Sequence, residues 1–200
     1  MIDSSKMTEN AGFQKLLEKA GAGDLEAWRQ VLELVYDDVR RLARQRFGWD
    51  MRGWTISPTE LAGDVWVRLQ SKPYAFTSRQ HLLAFLGLIT KRIFIEHLRR
   101  RQAWRHGGAG VIRIPIGDGA YLQIDAHSAD LDTWLTVERA IESLRSTEPM
   151  EAEVVELRFW VGLTNEEVAE VLGISPSVAR SQWETAKEKL RAFLADHDAP

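Results

Sequence analysis

The sequence predicts an all-α protein: two small helical domains joined by a flexible linker, the second of them a helix-turn-helix. Three observations predict it. Apolar residues recur at helical spacing along most of the chain, and the period-two alternation of strands is nearly absent. Helix-start signals open the periodic stretches, most plainly Ser57-Pro58-Thr59-Glu60 and Thr164-Asn165-Glu166-Glu167. The glycine run Gly107-Gly108-Ala109-Gly110 then breaks the helical pattern in mid-chain. The boundaries that follow are a first domain at 1–106, a linker at 107–130 and a second domain at 131–200.

The elements follow in order. A first helix covers about Glu9 to Ala20 and stops at Gly21-Ala22-Gly23. Asp24 is placed to cap a second, in which Leu25, Trp28, Val31, Leu32, Val35, Val39 and Leu42 form an apolar face. Arg40, Arg41, Arg44 and Arg46 near its end suit the negative pole of the helix dipole. Ser57 to Glu60 is a capping box with Pro58 at the first helical position, where a missing N–H is harmless, and its helix runs to about Leu69. After the loop Lys72-Pro73-Tyr74-Ala75-Phe76, Thr77 with Gln80 three residues later is expected to cap a long helix. That helix carries Leu82, Phe85, Leu86, Ile89, Ile93, Phe94 and Leu98 to an arginine cluster. Val111 to Asp130 shows no helical pattern and reads as a linker with one short extended piece. Four more helices are expected at about 132–144, 149–161, 164–172 and 176–194.

Leu163 to Leu194 is the most informative stretch. Thr164 and Glu167 make a capping box, and the small Ala169 allows two helices to cross closely. Gly173 supplies the φ > 0 residue that ends the first helix; Ser175 caps the second and Pro176 opens it. In this register Ile174, Val178 and Trp183 are expected to face the core, with Ser177, Ala179, Arg180, Ser181 and Gln182 outward. Polar outward residues at the start of a second helix are what reading the DNA major groove requires. A plain helical hairpin is the rival reading of the same pattern.

Composition narrows the field. No apolar run approaches the roughly 18 residues of a membrane span, and the N-terminus lacks a signal-peptide core. Cysteine is absent, which excludes disulfides and thiolate metal sites and fits a cytoplasmic protein. There is no Ser/His/Asp set, no phosphate loop and no ligand-like histidine spacing, so neither catalysis, a metal nor a cofactor is expected. The net charge of −3 conceals an asymmetry. Lys91, Arg92, Arg99, Arg100, Arg101 and Arg105 stand against Glu96 in one stretch, whereas 148–170 is strongly acidic. Five cations between Lys91 and Arg101 exceed what a helix terminus needs, and they favour phosphate contact.

With both domains placed, nearly the whole chain resembles the bacterial extracytoplasmic-function sigma factors of the sigma-70 family. Leu82 to Arg101 looks like the family's helix for the promoter −10 element, and Pro58 to Leu69 like its helix for the RNA polymerase clamp. Ala140 to Leu190, with Glu156-Leu157-Arg158-Phe159, is similar to the domain that reads the −35 element. Val35 to Arg44 and Ser57 to Leu61 resemble one subgroup linked to Ser/Thr protein kinases, whose clamp-binding helix lacks the usual acidic cluster at its start.

The resemblance implies a promoter-specificity subunit that is not an enzyme. Its implied partners are core RNA polymerase, through clamp and flap, promoter DNA, and a Ser/Thr kinase or an anti-sigma factor. At the −10 element it implies Tyr74, Phe76, Arg79 and Gln80, where the family captures a flipped base, and Lys91, Arg92, Arg99, Arg100 and Arg101 on phosphates. Tyr74 and Phe76 read equally well as a hydrophobic plug between helices. At the −35 element it implies Ser177, Arg180, Ser181, Gln182 and Lys187; many relatives carry a lysine where this chain has Ala179. Polymerase contact falls to Glu60, Leu61, Asp64, Val65 and Arg68, and Thr59 at that helix's start is a candidate phosphorylation site. Two alternatives stay open: a stand-alone helix-turn-helix regulator acting on a palindrome, and a helical adaptor that binds no DNA.

Overall fold

The structure is a computed structural model that describes residues 4–47, 56–102, 112–115, 121–124 and 131–197, with side chains for 11–46, 56–100 and 134–195. Every element among the described residues is helical apart from one antiparallel pair of short strands. The chain divides into two compact units, 1–90 and 91–200, so the division falls inside the long fourth helix.

The first unit holds α1 (Ser4–Gly21), α2 (Leu25–Phe47), α3 (Pro58–Leu69) and the first half of α4 (Arg79–Gln102). Local signals set their starts. Asp24 Oδ1 accepts the N–H groups of Glu26 and Ala27 at 3.0 Å, after a turn through Gly23 at φ 99°. Ser57 and Glu60 form the capping box, with Pro58 at the helix start. The cap of α4 lies one residue later than the sequence suggests. Ser78 Oγ accepts from His81 N–H at 3.3 Å and the Ser78 carbonyl from Leu82 N–H, while the Thr77 hydroxyl bonds the His81 ring. Two adjacent hydroxyl residues compete for one cap, and only Ser78 has both bonds within reach.

The core of this unit is built from Leu17, Trp28, Val31, Val35, Leu61, Val65, Leu69, Leu82 and Leu86, all nearly free of solvent. Trp28 also donates its indole N–H to the Leu69 carbonyl at 2.7 Å, closing a bond that the end of α3 leaves open.

The second unit begins with Lys91 to Gln102 of α4. Then come β1 (Ile112–Pro115) and β2 (Tyr121–Ile124), antiparallel, with Ile112 opposite Ile124 and Pro115 opposite Tyr121. The sequence leads one to expect a single extended piece there; pairing supplies the second strand. After α5 (Leu131–Thr147), α6 (Pro149–Val155) widens into a π-helical segment, Glu156–Val161. Gly162 at φ 88° ends it and donates to the Leu157 carbonyl. All six π residues are buried, including Glu156 and Arg158. α7 (Asn165–Leu172) and α8 (Pro176–His197) complete the unit over Ile141, Val155, Trp160, Val168, Ala179, Trp183 and Ala186.

Candidate nucleic-acid interface

The turn between α7 and α8 is fixed at both ends by local bonds. Thr164 and Glu167 exchange side-chain and backbone bonds at 3.2 and 2.8 Å. Gly173 sits at φ 65°, and Ile174 N–H reaches the Ala169 carbonyl at 3.0 Å. Ser175 Oγ then accepts from Val178 N–H at 3.3 Å, which seats the first turn of α8.

The face that α8 buries corrects the sequence reading at two positions. Ala179 is wholly buried, with Trp183, Ala186 and Leu194, and Val178 is 42 % exposed. The physical reason is helical spacing. Ala179, Trp183 and Ala186 are four and three residues apart and share a face, whereas Val178 and Trp183 are five apart and cannot. Ser177, Arg180 and Ser181 are exposed as expected, and Gln182 is half-buried. Lys187 turns aside: its ammonium pairs with Glu184 at 2.7 Å and lies 5.6 Å from the centre of the Trp183 ring. It therefore packs along α8 rather than extending from it.

Along α4, Arg92, Arg99 and Arg100 are exposed, with Arg92 also 3.5 Å from Glu96. The side chain of Arg101 lies outside the described residues. Lys91 departs from the expectation of a phosphate contact. It is buried, its ammonium bonded at 2.7 Å to both Glu138 and Glu156 and 5.7 Å from the centre of the Trp160 ring. A cation held between two carboxylates is not offered to a third anion. Glu156 also takes Arg145 at 2.8 Å. Burial opposes the Arg145 charge, but the hydrogen bonds and charges of Glu156 and Glu142 outweigh it and raise its pKa.

Tyr74 and Phe76 are half-buried in an aromatic group with Trp28 and Phe85. Phe85 is 5.1 Å from each by ring centroids, and Phe76 stacks on Trp28 at 6.1 Å. That is the plug arrangement, and neither ring is fully buried. Arg79 is anchored: its guanidinium pairs with Asp38 and lies over the Phe13 ring. Gln80 is half-buried beside it.

A family model described as ECF sigma factor matches residues 10–196. The chain belongs to the ECF sigma factor family. It is accordingly a DNA-binding factor of promoter-directed transcription initiation rather than an enzyme, with core RNA polymerase and promoter DNA as partners. A search of curated proteins finds no match. No helix among the described residues is long and apolar enough to cross a membrane.

In this sigma factor the residues expected to grip polymerase separate into two sets. Glu60, Asp64 and Arg68 are exposed on α3, and Thr59 is exposed in its first turn. Leu61 and Val65 are at most 2 % exposed and pack into the core, so they support the helix from behind instead of meeting a partner. The buried stripe Leu61-Val65-Leu69 takes every fourth position of the helix. Sequence reasoning missed Val67, which is 65 % exposed and lies seven residues from Glu60 and three from Asp64 on the same side of the helix. Its signal was available: it is an apolar residue off the apolar stripe.

Proposed function

We propose that this sigma factor directs polymerase to promoters with two recognition elements. In this reading the domain at 1–106 binds the polymerase clamp through Glu60, Asp64 and Arg68, with Val67 as an apolar anchor between them. It then opens the −10 element with Tyr74, Phe76, Arg79 and Gln80, while Arg92, Arg99, Arg100 and Arg101 hold phosphates. The linker at 107–130 leads to the domain at 131–200. That domain contacts the polymerase flap and docks the −35 element through Ser177, Arg180, Ser181 and Gln182.

The observation that carries the reading is the first turn of α8. A capped, glycine-closed turn presents exposed Ser177, Arg180 and Ser181 while Ala179 and Trp183 anchor the helix behind them. Run-off transcription with core polymerase tests it. Discrete transcripts lost on Arg180→Ala and on Arg99→Ala/Arg100→Ala support it. Tight binding of a palindromic duplex without polymerase would favour the regulator reading, and no salt-dependent DNA affinity at all the adaptor.

A Ser/Thr kinase is the regulator this reading favours over an anti-sigma factor. Thr59 is exposed in the first turn of α3, where the positive pole of the helix dipole stabilises a phosphate. The phosphate would add nearly two negative charges beside Glu60 and Asp64, suited to a basic clamp surface. Equal polymerase affinity for wild type, Thr59→Ala and Thr59→Glu, in cells holding the kinase, would sink this.

A further inference from the structure

The exposed Val178 has no role in the reading so far. It is the third residue of α8, and its N–H is held by Ser175 Oγ at 3.3 Å, so the turn that carries it is fixed. On its side of the helix come Ser181, Gln182 and Thr185, at three, four and seven residues on, all small or polar. None of them shields it. As a β-branched residue in a helix it has one strongly preferred rotamer, so its two methyl groups point in a fixed direction.

A lone exposed valine on a protein surface needs no explanation. This one occupies the turn that, in a helix-turn-helix, meets the edges of the bases. There its chemistry is restrictive. Valine offers neither donor nor acceptor, and in the major groove the thymine C5-methyl is the apolar feature that base edges present. Opposite guanine, cytosine or adenine it would strip water from a donor or acceptor and return nothing. We propose that Val178 is a specificity-determining residue for thymine, packing its methyl groups on the C5-methyl of one thymine in the element that α8 reads. This rests on the reading that α8 enters the major groove at the −35 element.

The test uses full-length protein, core polymerase and a promoter fragment that supports run-off transcription. Each −35 thymine is replaced singly by deoxyuridine, which keeps its pairing and loses only the methyl. For the wild type, one replacement is expected to lower transcription at limiting protein about fourfold, the equivalent of one buried methyl group. Val178→Ser should transcribe the thymine and deoxyuridine templates equally. Indifference of the wild type at every thymine overturns the inference, and so does a Val178→Ser variant that keeps the wild-type sensitivity. Arg180→Ala on the unmodified template reports on the reading beneath. If neither that variant nor a scrambled −35 sequence changes transcription, α8 does not read the element and the inference falls with it.

Discussion

Lys91 and Glu156 form a buried ion pair at 2.7 Å across 65 residues of sequence, and Glu138 completes the enclosure of the ammonium at the same distance. A buried charge pair contributes little net stability, yet breaking it by removing one partner leaves an uncompensated charge. Lys91→Met is therefore expected to lower unfolding free energy by about 3–5 kcal/mol in chemical denaturation. Arg99→Ala and Arg100→Ala, at exposed positions, should change it by less than about 0.5 kcal/mol. The salt dependence of DNA binding by the polymerase complex should show the reverse order for the two arginines. Equal, small stability losses at all three positions would contradict the burial of Lys91.

Ala179 is wholly buried, one turn before Trp183 on the inner face of α8. Ala179→Leu should destabilise the second unit by about 1–3 kcal/mol through overpacking, followed by chemical denaturation. Ser181→Ala, two residues away and exposed, should fall within about 0.5 kcal/mol of wild type. Were Ala179→Leu harmless, the face assigned to α8 would be wrong.

The start of α4 allows a local comparison. Ser78→Ala removes the side-chain acceptor at His81 N–H and should cost about 1 kcal/mol. Thr77→Ala removes only a bond to the His81 ring and should cost well under that. Thermal unfolding of the two variants in parallel decides between them.

On α3, Leu61 is buried and Val67 is 65 % exposed. Leu61→Ala should cost about 2–5 kcal/mol in stability, as a core truncation does. Val67→Lys should leave stability within about 0.5 kcal/mol and weaken polymerase binding in a pull-down of purified core enzyme. A Val67→Lys protein that binds polymerase normally would remove Val67 from the proposed clamp surface.

These cases show which parts of the molecule its sequence encodes openly. Helix starts at Asp24, Ser57, Thr164 and Ser175 were legible because a cap is a bond between residues two or three apart. The outward Ser177, Arg180 and Ser181 were legible for the same reason, since the turn fixes where α8 begins. Val178 and Ala179 were not. The two are adjacent at the edge of the buried face, and hydropathy favours the valine, whereas the four-residue spacing to Trp183 puts Ala179 inside. Lys91 was illegible for a different reason. It reads as part of a basic cluster until Glu138 and Glu156, far away in sequence, are brought around it. The π-helical segment left no mark at all, because widening a turn by one residue needs no special composition.

If contacts on α4 and α8 bring core polymerase to promoters, transcription from those promoters depends on this protein and on both helices. Run-off transcription on a pool of genomic promoter fragments tests this dependence most directly. Discrete transcripts that need this protein, disappear with Arg99→Ala/Arg100→Ala, and survive Ser143→Ala at an exposed position of α5 are expected. No transcripts from wild type or from Thr59→Glu, together with no binding to core polymerase, would contradict it.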